Sequence, residues 1–212
     1  MLFLLVVLVT PVFSLAMEVQ YVKRVVDGDT ILLNNHRLVR YIGINAPETA
    51  HGDKRAEPFG DAARKYHLDL LANKRVFLAY DREKTDRYGR TLAYVYTHDK
   101  ELINRRLLEQ GWAYCLYKKP NIRYHQSFLM AQRYAMQHQK GMWRGWKVRK
   151  QVILGNKRSR RFHRQNRPPG HNIGRSNRIF FSSIWEAFWE GYAPCRHCFP
   201  MGPHAIDNDS KQ

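Results

Sequence analysis

Residues 19–26, 30–33 and 36–44 form three runs rich in β-branched and apolar residues, separated only by Asp27-Gly28-Asp29 and Asn34-Asn35. Runs of this composition between turn residues read as strands. An Asn pair between the last two tolerates the positive φ of a tight hairpin turn. A helix is expected from about Glu57, with Pro58 suited to its first turn. Phe59, Ala62, Ala63, Tyr66 and Leu70 then recur at helical spacing. Residues 75–80 and 91–96 are strand-like, rich in aromatic and β-branched side chains. Two more helices, near 101–110 and 124–139, follow, the last stopped by Gly141. Three strands, a helix, two strands and two helices is the order of a Greek-key barrel with helices packed on it. The fold class expected is therefore α+β, mainly β, with the barrel complete near Trp143.

Charge says what such a barrel meets. The 212 residues carry 36 Lys and Arg against 18 Asp and Glu, a net charge of +18. An excess this large draws polyanions and releases their counterions, so nucleic acid is the first candidate partner and an anionic membrane surface the second. Much of it is concentrated: residues 147–178 hold eleven Lys or Arg and no acid, and read as a basic linker. Residues 179–203 turn apolar and aromatic again, within a small C-terminal module expected over 179–212. At the other end, residues 1–16 are apolar and uncharged, shorter than the roughly 20 residues a membrane span needs. They close on Ser14-Leu15-Ala16, small residues at the two positions a signal peptidase reads. A cleaved signal peptide, a secreted or periplasmic protein and no stable membrane insertion are expected, with an uncleaved N-terminal anchor as the alternative. The barrel domain then spans 17–146. Three cysteines, Cys115, Cys195 and Cys198, exclude a fully paired intramolecular disulfide framework, and Cys115 reads as a small buried hydrophobe.

Hydrolysis of a phosphodiester needs a cation on the phosphate, an activated water and charge to stabilise the transition state. Residues 25–48 contain all three kinds of group. Asp27 and Asp29, two apart at a strand start, share one face. Asn45, the Ala46 carbonyl and Glu48 follow, an all-oxygen mixture suited to a hard cation such as Ca²⁺. Arg40 lies just before them, and Arg90 arrives in Asp86-Arg87-Tyr88-Gly89-Arg90. Taken singly, each piece is equally a turn or a solvated surface residue.

Together the strings VVDGDTILL, VRYIGINAPE, TDRYGRTLAYVY, LLEQGWAY, KKPN and GMW resemble the staphylococcal nuclease, or thermonuclease, family, in its order and spacing over roughly residues 19–143. The resemblance implies an OB-type five-stranded Greek-key barrel with three helices, a natural oligonucleotide-binding surface. It implies an exported Ca²⁺-dependent nuclease that cuts DNA or RNA with little sequence specificity, working as a monomer. Position by position, Asp29 would be a direct Ca²⁺ ligand with Asp27 in support, and Asn45 and the Ala46 carbonyl would complete the set. Glu48 would orient or deprotonate the attacking water, and Arg40 and Arg90 would hold the phosphate and neutralise charge. Arg87 and Tyr88 would contact a neighbouring phosphate. Asn45 departs from the family's Asp, which removes one negative charge and implies weaker metal binding. The alternative is a secreted OB-fold protein that binds nucleic acid without cutting it.

Pro194-Cys195-Arg196-His197-Cys198 is a C-x-x-C knuckle, half of a tetrahedral zinc site, or else a disulfide or redox pair. Its surroundings, RIFFSSIWEAFWEGYAPCRHCFP, resemble the C-terminal half of the zinc-binding domain of the alkylation-repair protein Ada. His163 and His171 stand where that domain's other ligands lie, so Zn²⁺ is a second candidate cofactor, held by Cys195, Cys198, His163 and His171. The alternative is a module that packs on Trp185, Phe188 and Trp189 without metal.

Overall fold

A computed structural model describes residues 17–52, 55–71, 74–165 and 172–200. The expected signal peptide and His171 lie outside the described residues. The barrel is built from β1 (Glu18–Asp27), β2 (Thr30–Leu33), β3 (Leu38–Tyr41), β5 (Arg75–Ala79) and β6 (Thr91–Tyr96), closed in the order β1-β2-β3-β6-β5. Closure depends on β1 serving two partners. Its first half pairs with β5, from Glu18 opposite Leu78 to Tyr21 opposite Arg75, and its second half pairs with β2. Register shifts between Val22 and Arg24 and between Val25 and Asp27 bend the strand between those duties, as bulges do. The parallel pairing of β3 with β6 completes the circle. Ile31, Leu33, Val39, Val76 and Leu78 fill the interior with no exposed surface, each burial contributing roughly 1.5–3 kcal/mol. Helices α1 (Gly60–Leu70), α2 (Ile103–Glu109) and α3 (His125–Gln137) pack around it. The expected five-stranded barrel with three helices is what forms.

Three local expectations change. The strand expected over 36–44 ends at Tyr41, because Gly43 turns the chain at φ 77°. Beyond the turn, β4 (Ile44–Asn45) leaves the barrel to pair with β7 (Tyr114–Cys115), a strand the sequence did not announce. In the β2–β3 turn the left-handed residue is His36, at φ 64°, not an asparagine. The first helix begins at Gly60, not Glu57: Phe59 is left-handed at φ 70°, and Gly60 N–H closes a turn on the Glu57 carbonyl at 3.0 Å.

The largest correction concerns the basic stretch. Residues 147–178 are not a plain linker but contain β8 (Ile153–Asn156) and β9 (Arg161–Arg164). With β10 (Arg178–Phe181) and β11 (Ala193–Pro194) they form a four-stranded sheet in the order β10-β8-β9-β11. Most of the charges sit in the turns and connecting segments, with Arg161 and Arg164 at the two ends of β9, while Ile153, Leu154 and Phe162 face inward, a pattern that net charge conceals. Helix α4 (Ile184–Trp189) covers the sheet, its start fixed by Ser183 Oγ accepting from Glu186 N at 3.1 Å. This module is not independent of the barrel. Trp143, fully buried, packs edge-on against Phe188 at 5.1 Å and Trp185 at 5.9 Å. Tyr114 meets Phe188 at 5.4 Å, and Gln132 and Arg133 of α3 donate to the carbonyls of Phe188 and Trp189. A chain cut after Gly145 would expose Trp143, Met136 and Tyr114, so the barrel region ends within a shared core.

Candidate active site

Asp27 ends β1, Asp29 sits in the turn before β2, Arg40 lies on β3, and Asn45, Ala46 and Glu48 follow along and after β4. What draws these segments together is a missing side chain. A Cβ on Gly28 would lie 2.5 Å from Ala46 Cβ and 3.0 Å from Ala63 Cβ, so only glycine lets the Ala46 segment close over the turn. Asp29 is then buried, and its Oδ2 accepts from Ala46 N at 2.7 Å and pairs with Arg40 Nη2 at 2.8 Å. Its Oδ1 accepts from the Thr30 hydroxyl at 3.0 Å, and Asp27 Oδ1 accepts from Asp29 N at 2.9 Å.

Arg40 is the hub. Its Nη1 donates to the carbonyls of Tyr41 and Ile44, both at 3.0 Å, which clamps the turn at Gly43. Its Nη2 donates to Asn45 Oδ1 at 2.9 Å as well as to Asp29. The four terminal N–H groups are thus engaged by protein acceptors. Asn45 spends its amide nitrogen on the Ala46 carbonyl at 3.0 Å and the Tyr114 hydroxyl at 2.9 Å. That pattern fixes which way the amide faces, since a reversed amide would set its nitrogen against the guanidinium.

The electrostatics are those of a site rich in acid. Burial raises the Asp29 carboxyl well above the usual carboxylate range, Arg40 opposes the rise, and Asp27 and Glu48 add to it. Behind the site His67 is fully buried, with Nε2 2.7 Å from the Tyr41 hydroxyl and Nδ1 2.9 Å from the Asp27 carbonyl. A carbonyl only accepts, so Nδ1 carries the proton and Nε2 accepts from Tyr41. Burial lowers this histidine to about 4, so the ring is neutral and ties helix α1 to the backbone of Asp27.

Glu48 stands at the rim, half-exposed. Its backbone is held by Glu57: Glu57 N donates to the Glu48 carbonyl at 2.9 Å, and Glu48 N donates to Glu57 Oε2 at 3.3 Å. Burial and the Glu48 charge raise the Glu57 carboxyl above its ordinary value. Gly60 makes room for this contact, since a Cβ there would lie 2.2 Å from the Glu48 carbonyl oxygen. The Glu48 carboxylate itself accepts from Arg196 Nη2 of the C-terminal module at 2.6 Å.

Arg87, Tyr88 and Arg90 form a separate cluster on the loop before β6. Asp86 organises it, accepting from the backbone N–H of Tyr88 and Arg90 and from Arg90 Nε at 2.8 Å. Burial works against it, but those Arg90 bonds hold the Asp86 carboxyl below its usual value. Arg87 and Arg90 both lie over the exposed Tyr88 ring, at 4.7 and 5.6 Å. Arg90 directly precedes Thr91, which pairs with Val39, so the loop opens one strand away from Arg40.

The donor set fits a hard cation. Asp27, Asp29, Asn45 and the Ala46 carbonyl offer only oxygen, and Asp29 is a buried acid whose charge one guanidinium does not fully compensate. A second donor set is soft: the ligand atoms of His163, Cys195 and Cys198 lie within 4.8 Å of one another. His163 Nδ1 is 3.7 Å from Cys198 Sγ. The three cysteines are free thiols, and Cys115 is buried as expected. Sequence reasoning missed Glu57, Gly60, His67, Tyr114, Arg161 and Arg196, which reach the site through tertiary contacts.

The family model for staphylococcal nuclease homologues matches residues 38–145. The chain is 41% identical over 129 residues to a thermonuclease of Staphylococcus intermedius, covering 59% of this chain and 76% of that one. It is 38% identical over 123 residues to a thermonuclease of Staphylococcus hyicus, covering 57% and 72%. It is also 30% identical over 198 residues to the endonuclease YhcR of Bacillus subtilis, covering 81% of this chain and 16% of that one.

Proposed function

The chain belongs to the staphylococcal nuclease family and is a phosphodiester-cleaving hydrolase, and from that premise we propose that it is an exported, Ca²⁺-dependent endonuclease acting on DNA or RNA. The observation that carries the reading is the buried hub in which Asp29 and Asn45 converge on Arg40 and Ala46 N–H donates to Asp29, with Glu48 at its rim. Asp29, Asn45 and the Ala46 carbonyl, with Asp27 in support, would hold Ca²⁺, which when bound supplies Lewis-acid polarisation of a phosphate oxygen. Glu48 takes the proton of the attacking water, held at its post by Glu57. Arg40, with its terminal N–H groups already engaged, acts through a fixed charge preorganised before substrate arrives. Arg90 is more exposed and neutralises the phosphate directly, while Arg87 and Tyr88 hold the next one along.

The test is cleavage of plasmid DNA by the purified protein with Ca²⁺ and with excess EDTA. Cleavage is expected only with Ca²⁺, and undiminished cutting in chelator would contradict the reading. Export rests on the apolar residues 1–16, and mass spectrometry of protein from the growth medium should find Met17 at the mature N-terminus. Among the described residues no helix is long and apolar enough to cross a membrane. The working form is a monomer. His163, Cys195 and Cys198, with His171 as the expected fourth ligand, would hold Zn²⁺ as a structural ion, and metal analysis should show zinc lost on Cys195→Ser.

A further inference from the structure

Arg196 is remote from the site in sequence and touches the residue on which the chemistry depends. It sits between Cys195 and Cys198, and its Nη2 lies 2.6 Å from Glu48 Oε1. Near it in the chain pairing is Arg161 on β9, half-buried, with Nη1 donating to the Pro194 carbonyl at 2.9 Å. That bond fixes the strand leading into the knuckle. The β9–β11 register sets Arg161 opposite Ala193, three residues before Arg196, so the two arginines lie on neighbouring segments beside Glu48. Among the described residues, Arg161 has no carboxylate partner. Arg40 is already committed to Asp29, which leaves Glu48 as the counter-charge of Arg196. Like charges on neighbouring segments, one of them without a carboxylate partner, are stabilised by a bound anion.

We propose that Arg161 and Arg196 form an anion subsite, supplied by the C-terminal module, that holds a phosphate of the nucleic-acid strand next to the one being cut. Arg196 rests on Glu48 until that phosphate takes it over. The proposal rests on the reading of Glu48 as the group that accepts the water's proton. Arg196 Nη2 occupies Glu48 Oε1, so a water reaches that oxygen only once Arg196 has moved, and the strand's own phosphate is the anion it meets. Arg196 is exposed and free to swing, whereas Arg161 is anchored to Pro194. Substrate that reaches only the scissile position leaves Glu48 paired. Substrate with a flanking phosphate releases it. The module thereby favours chains over single phosphodiesters.

The test measures binding of fluorescein-labelled octathymidylate to the full-length protein, without added divalent cation, across a salt series. Arg196→Ala should weaken binding about fivefold at low salt and flatten the log–log salt slope by about 0.7, the loss of one phosphate contact on a single strand. Arg196→Lys, which keeps the charge, should recover most of the slope. An unchanged slope in Arg196→Ala overturns the subsite. Tighter binding by that variant overturns it too and makes Arg196 an inhibitory latch on Glu48. A wild-type protein that binds with the expected slope difference yet fails to cut with Ca²⁺ would overturn the nuclease reading and not the subsite.

Discussion

Replacing Gly60 with alanine sets helix propensity against active-site geometry. By propensity alone the change should help, since glycine is about 1 kcal/mol worse than alanine inside a helix and less so at its first residue. The added Cβ, however, would lie 2.2 Å from the Glu48 carbonyl oxygen, 2.8 Å from its carbonyl carbon and 3.2 Å from Thr49 N. These are backbone atoms with no rotamer to escape into. Ordinary contact requires the Glu48 segment or helix α1 to retreat by roughly 1 Å, and a misplacement of that size typically costs about 10²-fold in rate. The strain should cost about 1–3 kcal/mol of stability, more than the propensity gain returns. Single-turnover cleavage of a labelled oligonucleotide, with urea unfolding of the same variant, reads both quantities. Gly60→Ala should cut about 10²-fold more slowly and unfold at lower urea. Full-rate cleavage would show that the position of Glu48 does not depend on this contact, and the geometric argument would fail.

Asn45→Asp should raise the thermal stabilisation given by Ca²⁺ above that of the wild type, because the new oxygen faces the Ala46 carbonyl at 3.0 Å, a repulsion that a cation between them relieves. Equal Ca²⁺ shifts in melting temperature for the two proteins would remove Asn45 from the ligand set. Stability should also fall in mild acid through His67. Its folded pKa, about 4, lies below the unfolded value of 6.5, so the neutral ring stabilises the fold fully above pH 6.5 and progressively less as pH falls towards 4. The difference is worth about 3 kcal/mol, from about 1.36 kcal/mol per unit. Urea unfolding from pH 7 to 4 should show this slope, and His67→Gln should flatten it.

Much of the site was legible because its residues are close in sequence. Asp27, Asp29, Arg40, Asn45, Ala46 and Glu48 fall within 22 positions, on strands whose short connections leave little freedom in how they pair. Arg87, Tyr88 and Arg90 were readable as a motif, although their distance from Arg40 depends on the parallel β3–β6 register, which no periodicity encodes. The residues that hold the site in place were hidden. His67 carried no signal of its own in the sequence, Glu57 read only as a helix start, and Tyr114 carried none either. Each matters through a partner far along the chain: Tyr41, Glu48 and Asn45 respectively. Composition misled most in residues 147–178, where eleven positive charges masked the inward-facing Ile153, Leu154 and Phe162 of a sheet. That sheet also showed that the barrel's last tryptophan, Trp143, belongs to a core it shares with the module.

The central claim is that Glu48 does the proton chemistry at a site built to hold it still. Glu48→Gln is nearly isosteric and removes the proton acceptor while keeping a hydrogen-bonding group at the rim. Single-turnover cleavage with saturating Ca²⁺ and protein is the most direct test, because it isolates the chemical step from binding and release. Glu48→Gln should cut roughly 10²–10⁴-fold more slowly than wild type, with oligonucleotide affinity no weaker than before. Cleavage by Glu48→Gln at the wild-type rate would contradict the account.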